Sequence, residues 1–444
     1  MKTILKNGLI INEGKKFIGT VVIEGNRIAD VYEGQKNNED KEAEIIDLEG
    51  KTIFPGIIDT HVHFREPGLT HKADFGTESK AALAGGVTTV FDMPNVKPPT
   101  VNMRLIEQKI KLAEQKSAVN YAFYIGATND NFEALKAADY SVVPGIKVFM
   151  GSSTGNMLVD DEKMLKRTFS LGKLVAVHSE DEAIIRANLE AAKTKYGHDI
   201  PIALHSRIRS REACIASTVR ALELARAAQT RLHLLHISTA EEAELIAKAK
   251  LTNKNLSAEA VINHLYFDET MYNEKGTFIK FNPSAKSPSD RLALLEALKS
   301  GTLDTVATDH APHTFEEKNK NYLHAPSGVP MVQHSLIAML DFVKEGKMDL
   351  EDIATLMSHH PAKRFGIKQR GFIRKGFYAD ITVVDLSKPL KVTKESLLYK
   401  CRWSPFEGKT FSSSVFMTIV NGCIAYNQGK FNDCKSSMLV NFDQ

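Results

Sequence analysis

The sequence predicts a parallel (β/α)8 barrel flanked by a small β domain that the two ends of the chain build together. Three observations predict it. Between about residues 54 and 370, short apolar runs alternate with amphipathic helical stretches, as parallel strands joined by crossover helices require. Residues 1–53 lack that alternation and read as short strands divided by turns. Strand patterning returns across 371–444. Neither terminal segment can bury a sheet face alone, so the two are expected to pair.

In the first segment the strands are expected at 3–12, 16–24, 27–33 and 44–48, in a small antiparallel sheet, with turns at Glu24-Gly25-Asn26 and Glu49-Gly50. The barrel runs then fall at 53–63, 87–94, 120–127, 145–150, 174–180, 231–238, 255–262 and 305–310, which makes eight. Helical periodicity lies between them at 75–84, 104–116, 161–171, 181–195, 210–228, 240–249 and 289–299. The clearest strands of the last segment are 377–385 and 414–426.

Composition excludes several functions. Lys plus Arg number 57 against 54 acids, a formal charge of +3 spread without blocks, so neither a nucleic acid nor a membrane surface is expected as a partner. The N-terminal apolar run is broken by Lys6, Asn7 and Gly8, and no apolar run is long enough to span a bilayer. Cys214, Cys401, Cys423 and Cys434 have no metal-binding spacing. Reduced thiols in a cytoplasmic protein are the expectation.

The residues that carry chemistry sit where predicted strands end. His61 and His63 leave the first strand in Asp59-Thr60-His61-Val62-His63-Phe64-Arg65. Side chains alternate along a strand, so both project to one side and can share a metal ion. Arg65 keeps that parity at the edge of the following turn, where a planar cation meets anions. His178 ends the fifth strand in register with Leu174 and Ala176. On the sixth, His236 shares parity with Leu232 and Leu234, and His233 is expected on the opposite face, under the helices. Asp309 ends the eighth. Imidazole and carboxylate without thiolate suit zinc, with manganese, cobalt or iron admitted by ligand type.

Lys147 lies inside the apolar fourth strand. An ammonium buried beside divalent cations is strongly disfavoured, so this lysine is expected to lose its charge. Capture of CO2 would turn it into a carbamate able to bridge two metals. Blander readings go to His71, His198, His205, His264, His324, His334 and the pair His359-His360, all taken as surface or packing residues. Trp403 is expected to pack the small domain.

Together these motifs resemble the amidohydrolase superfamily. Within it, His61 to Gly68, Asp92-Met93-Pro94-Asn95, Ile208 to Cys214, Ala307 to His313 and Ser404 to Gly408 are similar to the dihydroorotase family. Some chains of this type put an aspartate where a lysine bridge would be expected; here Ser152-Ser153-Thr154 follow the strand instead. The resemblance implies two Zn2+ ions per subunit: His61, His63 and Asp309 on the first, His178 and His236 on the second, carboxylated Lys147 between them. It implies that Asp309 is also the proton shuttle and that Arg65, Asn95 and His313 hold a substrate carboxylate. Asn282 would lie near the substrate ring, with the backbone at Ser327 and Gly328 closing over it. The implied reaction is reversible hydrolysis of dihydroorotate to N-carbamoyl-L-aspartate through a zinc-bound hydroxide, in a homodimer whose partner is this small molecule. Allantoinase or hydantoinase chemistry shares the metal set. A silent scaffold homologue is disfavoured because all six ligands are present.

Overall fold

The computed structural model describes residues 2–34, 42–151 and 157–443. Eight parallel strands form its barrel: Ile57–Val62, Val87–Asp92, Asn120–Phe123 continued by Ile125–Gly126, Ile146–Phe149, Leu174–His178, Arg231–Leu234, Ser257–Val261 and Thr305–Ala307. The ring closes where Val62 bridges His310 in parallel and the His63 N–H donates to the His310 carbonyl at 2.7 Å. Each helix expected from periodicity is present within a few residues, Phe75–Ala84 at its expected bounds. Several helices start on a side-chain cap, including Asp74, Thr239 and Ser287, each in a capping box.

The barrel interior is a packed plug. Phe91, Tyr124, Leu174 and Ala176 meet Phe365, which the helix His360–Phe365 delivers, and Phe442 from the C-terminal segment. Phe365 lies 5.3 Å from Phe91, edge to face. Filling the floor with rings leaves the opposite rim, at the strand C-termini, as the place where polar groups converge.

The chain ends combine in a nine-stranded sheet, and this departs from the expected small antiparallel one. Lys2–Asn12 pairs in parallel with both Glu44–Asp47 and Thr52–Pro55. Ile381–Asp385 joins Thr52–Pro55 antiparallel and so carries the C-terminal strands onto the N-terminal ones. The expected division between residues 53 and 54 falls inside Thr52–Pro55, whose four residues all belong to this sheet. The chain changes sheets at Gly56. A Cβ there would meet Thr88 Oγ1 at 2.2 Å and Asp380 Cβ at 2.9 Å. A single apolar run from 52 to 62 conceals this break, because both halves are fully buried.

Two further expectations are corrected. Cys423 and Cys434 form a disulfide across the last hairpin, leaving Cys214 and Cys401 as buried free thiols. An 11-residue separation closed by a turn brings them together, which spacing alone did not reveal. Trp403 packs against the barrel: its Nε1–H donates to the His313 carbonyl at 2.7 Å and its ring meets Phe278. Among the described residues no helix is long and apolar enough to cross a membrane.

Candidate active site

At the strand C-termini, His61 Nε2, His63 Nε2 and Asp309 Oδ1 converge, with Asp309 3.3 Å from the first and 3.0 Å from the second. Their possible ligand atoms lie within 4.8 Å of one another. The far ring nitrogens are engaged behind them. His61 Nδ1 meets Glu259 Oε1 at 2.8 Å, and His63 Nδ1 meets Asn95 Oδ1 at 2.7 Å. A carboxylate and an amide oxygen can only accept, so both Nδ1 atoms carry the proton and both Nε2 lone pairs face the cluster.

The second pair sits beside it. His178 Nδ1 faces His236 Nε2 at 2.9 Å, and the His236 ring lies 5.4 Å from that of His61. His236 Nδ1 is buried with no hydrogen-bond partner among the described residues. Burial pushes the imidazolium forms of His63 (to about 3), His178 and His236 below the usual range, so these rings are neutral, as metal ligation requires. For Asp309, burial raises the pKa, but the electrostatic setting of the cluster, to which Lys147 contributes, outweighs it and holds the group well below the ordinary carboxylate range.

Lys147 is 1% exposed, and among the described residues its Nζ has no hydrogen-bond or ion-pair partner. It lies 4.5 Å over the Phe149 ring. Burial pushes its amine down to about 7, with partial opposition from Asp309 and Glu259. Neutral amine is therefore plentiful near pH 7, the form that reacts with CO2. Donor set, protonation and orientation of His61, His63 and Asp309 fit a divalent cation. Residues 152–154 lie outside the described part of the chain.

The remaining expected residues lie around the same cavity, whose empty volume is about 420 Å³ and which Arg65, Asn95, Asn282, Ser327 and Gly328 help to line. Arg65 is 1% exposed; its Nε–H donates to the Pro312 carbonyl at 3.0 Å and its Nη2 lies 3.1 Å from His313 Nε2. Burial lowers its pKa to about 10, so it stays charged. Among the described residues no carboxylate approaches it within ion-pair distance. Asn282 presents a buried Oδ1 with no hydrogen-bond partner among the described residues. At Gly328, φ is +134° and a Cβ would meet the Ala311 carbonyl at 2.5 Å, so only glycine lets the loop pass this close.

One orientation differs from expectation. Leu232 and Leu234 pack outward with the helices, whereas His233 turns inward, bonding Ser257 Oγ at 2.8 Å and packing on Phe365. His236 reaches the rim because the strand stops at Leu234 and His236 adopts a left-handed φ of 39°. Arg65 (67°) and Asp309 (48°) are left-handed too. Backbone strain of this kind concentrates at sites where the surrounding structure over-determines it.

Sequence reading missed the supports behind the rim. Glu259 holds His61, and Asp59 accepts from the Thr308 hydroxyl at 2.6 Å beside Asp309. Glu180 accepts from Arg209 Nε at 3.0 Å and Nη2 at 2.5 Å, and lies 3.1 Å from His178 Nε2. The available signal was a charged residue within an apolar strand run, which singled out Lys147 and applies equally to Glu259. Arg209→Met is expected to cost about 3–5 kcal/mol by leaving Glu180 buried and unpaired. Burial raises the Glu180 pKa, but the Arg209 charge and His178 outweigh it and hold it low. The native contribution is thus present above the unfolded carboxylate pKa of about 4.3 and lost as pH falls. Urea unfolding across pH should show a gap between native and variant that narrows on acidification; a pH-independent gap contradicts the assignment.

The amidohydrolase family model matches residues 52–425, most of the barrel and much of the flanking sheet. The chain belongs to the amidohydrolase family. This amidohydrolase is 33% identical over 411 residues to the dihydroorotase of Methanosphaera stadtmanae, covering 92% of the chain and 93% of that protein. It is 38% identical over 377 residues to the dihydroorotase of Methanosarcina acetivorans, covering 82% and 79%. A third dihydroorotase, from Lactobacillus leichmannii, is 33% identical over 437 residues, covering 98% and 100%. Among solved structures, the L-hydantoinase (dihydropyrimidinase) of Arthrobacter aurescens superposes with a TM-score of 0.94 at 27% identity over 99% of both chains. The dihydropyrimidinase of Brevibacillus agri superposes at 0.91 and 27% identity, covering 99% of this amidohydrolase and 98% of that chain.

Proposed function

We propose that this amidohydrolase is a dihydroorotase, interconverting dihydroorotate and N-carbamoyl-L-aspartate in de novo pyrimidine biosynthesis. The observation that carries the reading is Arg65, a buried guanidinium at the cavity wall with no carboxylate within ion-pair distance among the described residues. A buried charge left unpaired is costly. A cyclic substrate bearing a carboxylate supplies the missing partner, while an uncharged ring does not. The relatives named dihydroorotase support the same substrate.

His61, His63 and Asp309 would hold one Zn2+ and His178 and His236 a second, with carboxylated Lys147 between them. Such ions, when bound, polarise the ring carbonyl and lower the pKa of water from 15.7 to about 7. The protein's own residues do the rest. Arg65, His313 and the Asn95 amide N–H groups fix the carboxylate, and the Asn282 oxygen accepts from the ring. Asp309, a carboxylate at neutral pH, takes the proton of the attacking water and passes it to the ring nitrogen as the C–N bond breaks. That nitrogen departs as the NH2 of the carbamoyl group, and the former ring carbonyl becomes the second carboxylate.

The hydantoinase and dihydropyrimidinase structures favour a second reading, hydrolysis of an uncharged cyclic ureide or imide. Purified protein offered dihydroorotate, allantoin and hydantoin separates the two, and a higher kcat/KM on hydantoin would overturn the proposal. Arg65→Met is expected to raise KM for dihydroorotate by the equivalent of about 1.5–3 kcal/mol, the range for hydrogen bonds to charged groups. Because the carboxylate does not react, kcat should change far less. A variant with unaltered KM removes Arg65 from substrate binding.

A further inference from the structure

His313 is held between two cations. On one side Lys72 Nζ lies 2.9 Å from Nδ1, and on the other Arg65 Nη2 lies 3.1 Å from Nε2. An ammonium has only donors, so Nδ1 must accept and the ring proton belongs on Nε2. The Ser327 carbonyl, 3.0 Å from Nε2, accepts from that N–H. A consequence is that Arg65 Nη2–H and His313 Nε2–H, both donors, face one another across 3.1 Å. Neither can satisfy the other. An anionic oxygen can accept from both.

Lys72 is itself 9% exposed and paired with Glu317 Oε1 at 3.0 Å; Glu317 Oε2 stands 3.8 Å from His313 Nδ1. Without Lys72, Glu317 becomes the group nearest Nδ1, and a carboxylate there favours the proton on Nδ1. The Nε2 lone pair would then accept from Arg65, so the imidazole donor would be lost and one guanidinium donor used up. We propose that Lys72 is a positioning residue that sets the His313 tautomer, so that Arg65 and His313 act as paired donors to the substrate carboxylate. This rests on the dihydroorotase reading for the identity of the anion, though not for the tautomer.

The test uses protein labelled with 15N at histidine, with His313 assigned through His313→Gln, and dihydroorotate kinetics on the native chain, Lys72→Met and Lys72→Arg. The native chain is expected to show His313 protonated at Nε2, and Lys72→Met protonated at Nδ1. KM should rise about tenfold or more in Lys72→Met with kcat within about twofold, and Lys72→Arg should restore most of both tautomer and KM. A native His313 protonated at Nδ1 overturns the proposal and needs no variant to fold. So does Lys72→Met with native tautomer and KM, or a loss confined to kcat. A native chain that does not turn over dihydroorotate defeats the substrate reading instead and leaves the tautomer result standing.

Discussion

Asp309→Ala is expected to lower kcat on dihydroorotate by at least about 10³-fold. Proton transfer by a positioned carboxylate contributes on the order of 10² to 10⁴, and the same side chain lies 3.0 Å from His63 Nε2 and 3.3 Å from His61 Nε2. Removal would therefore delete the proposed proton shuttle and one member of a three-residue group able to hold a metal ion at once. Folding should survive, because the barrel closes through backbone bonds between His63 and His310 that do not involve this side chain. Steady-state kinetics beside a urea unfolding curve and a metal assay make the check. Native turnover in a folded Asp309→Ala protein removes the proton-shuttle role.

Lys147→Ala should show an effect of similar size by a different route. The amine is buried, unpaired among the described residues and pushed down to about 7. On the proposed reading, reaction of the neutral amine with CO2 would form a carbamate and release one proton, replacing a disfavoured buried cation with an anion beside the two histidine pairs. Without it, the cluster would have only neutral imidazoles and a single carboxylate with which to hold two cations. Bound metal is expected to fall from the proposed two ions to at most one, and kcat by about 10³-fold or more, the loss of several kcal/mol of charge stabilisation at about 1.4 kcal/mol per tenfold. Added acetate or formate should restore part of both, since either supplies a small bridging carboxylate. Mass analysis of the native chain should find one CO2 on Lys147 when metal is present. Full metal content in Lys147→Ala sinks the bridging role.

Much of this site was readable along the chain because each element advertises itself locally. The helix over Phe75–Ala84 needs only its 3.6-residue period and the Asp74 cap; the strands need only short apolar runs between turns. His61, His63, His178, His236 and Asp309 could be chosen because each stands just past such a run. Reading failed where strand parity stopped applying. His236 was assigned the phase of Leu232 and Leu234, yet those leucines face the helices, and it reaches the rim by leaving the strand at a left-handed φ. The break at Gly56 escaped for a related reason: two sheets bury their residues equally, and burial does not say against what.

By itself, the order of residues determined the barrel, the pairing of the chain ends and a set of metal-seeking side chains, since these follow from local periodicity and side-chain chemistry. Only the tertiary structure decided which ring nitrogen faces the cluster, that no carboxylate among the described residues pairs with Arg65, that Lys72 presses on His313, and that Cys423 bonds Cys434. Those are contacts between residues up to hundreds of positions apart, and no local rule carries a distance across a closed ring of strands.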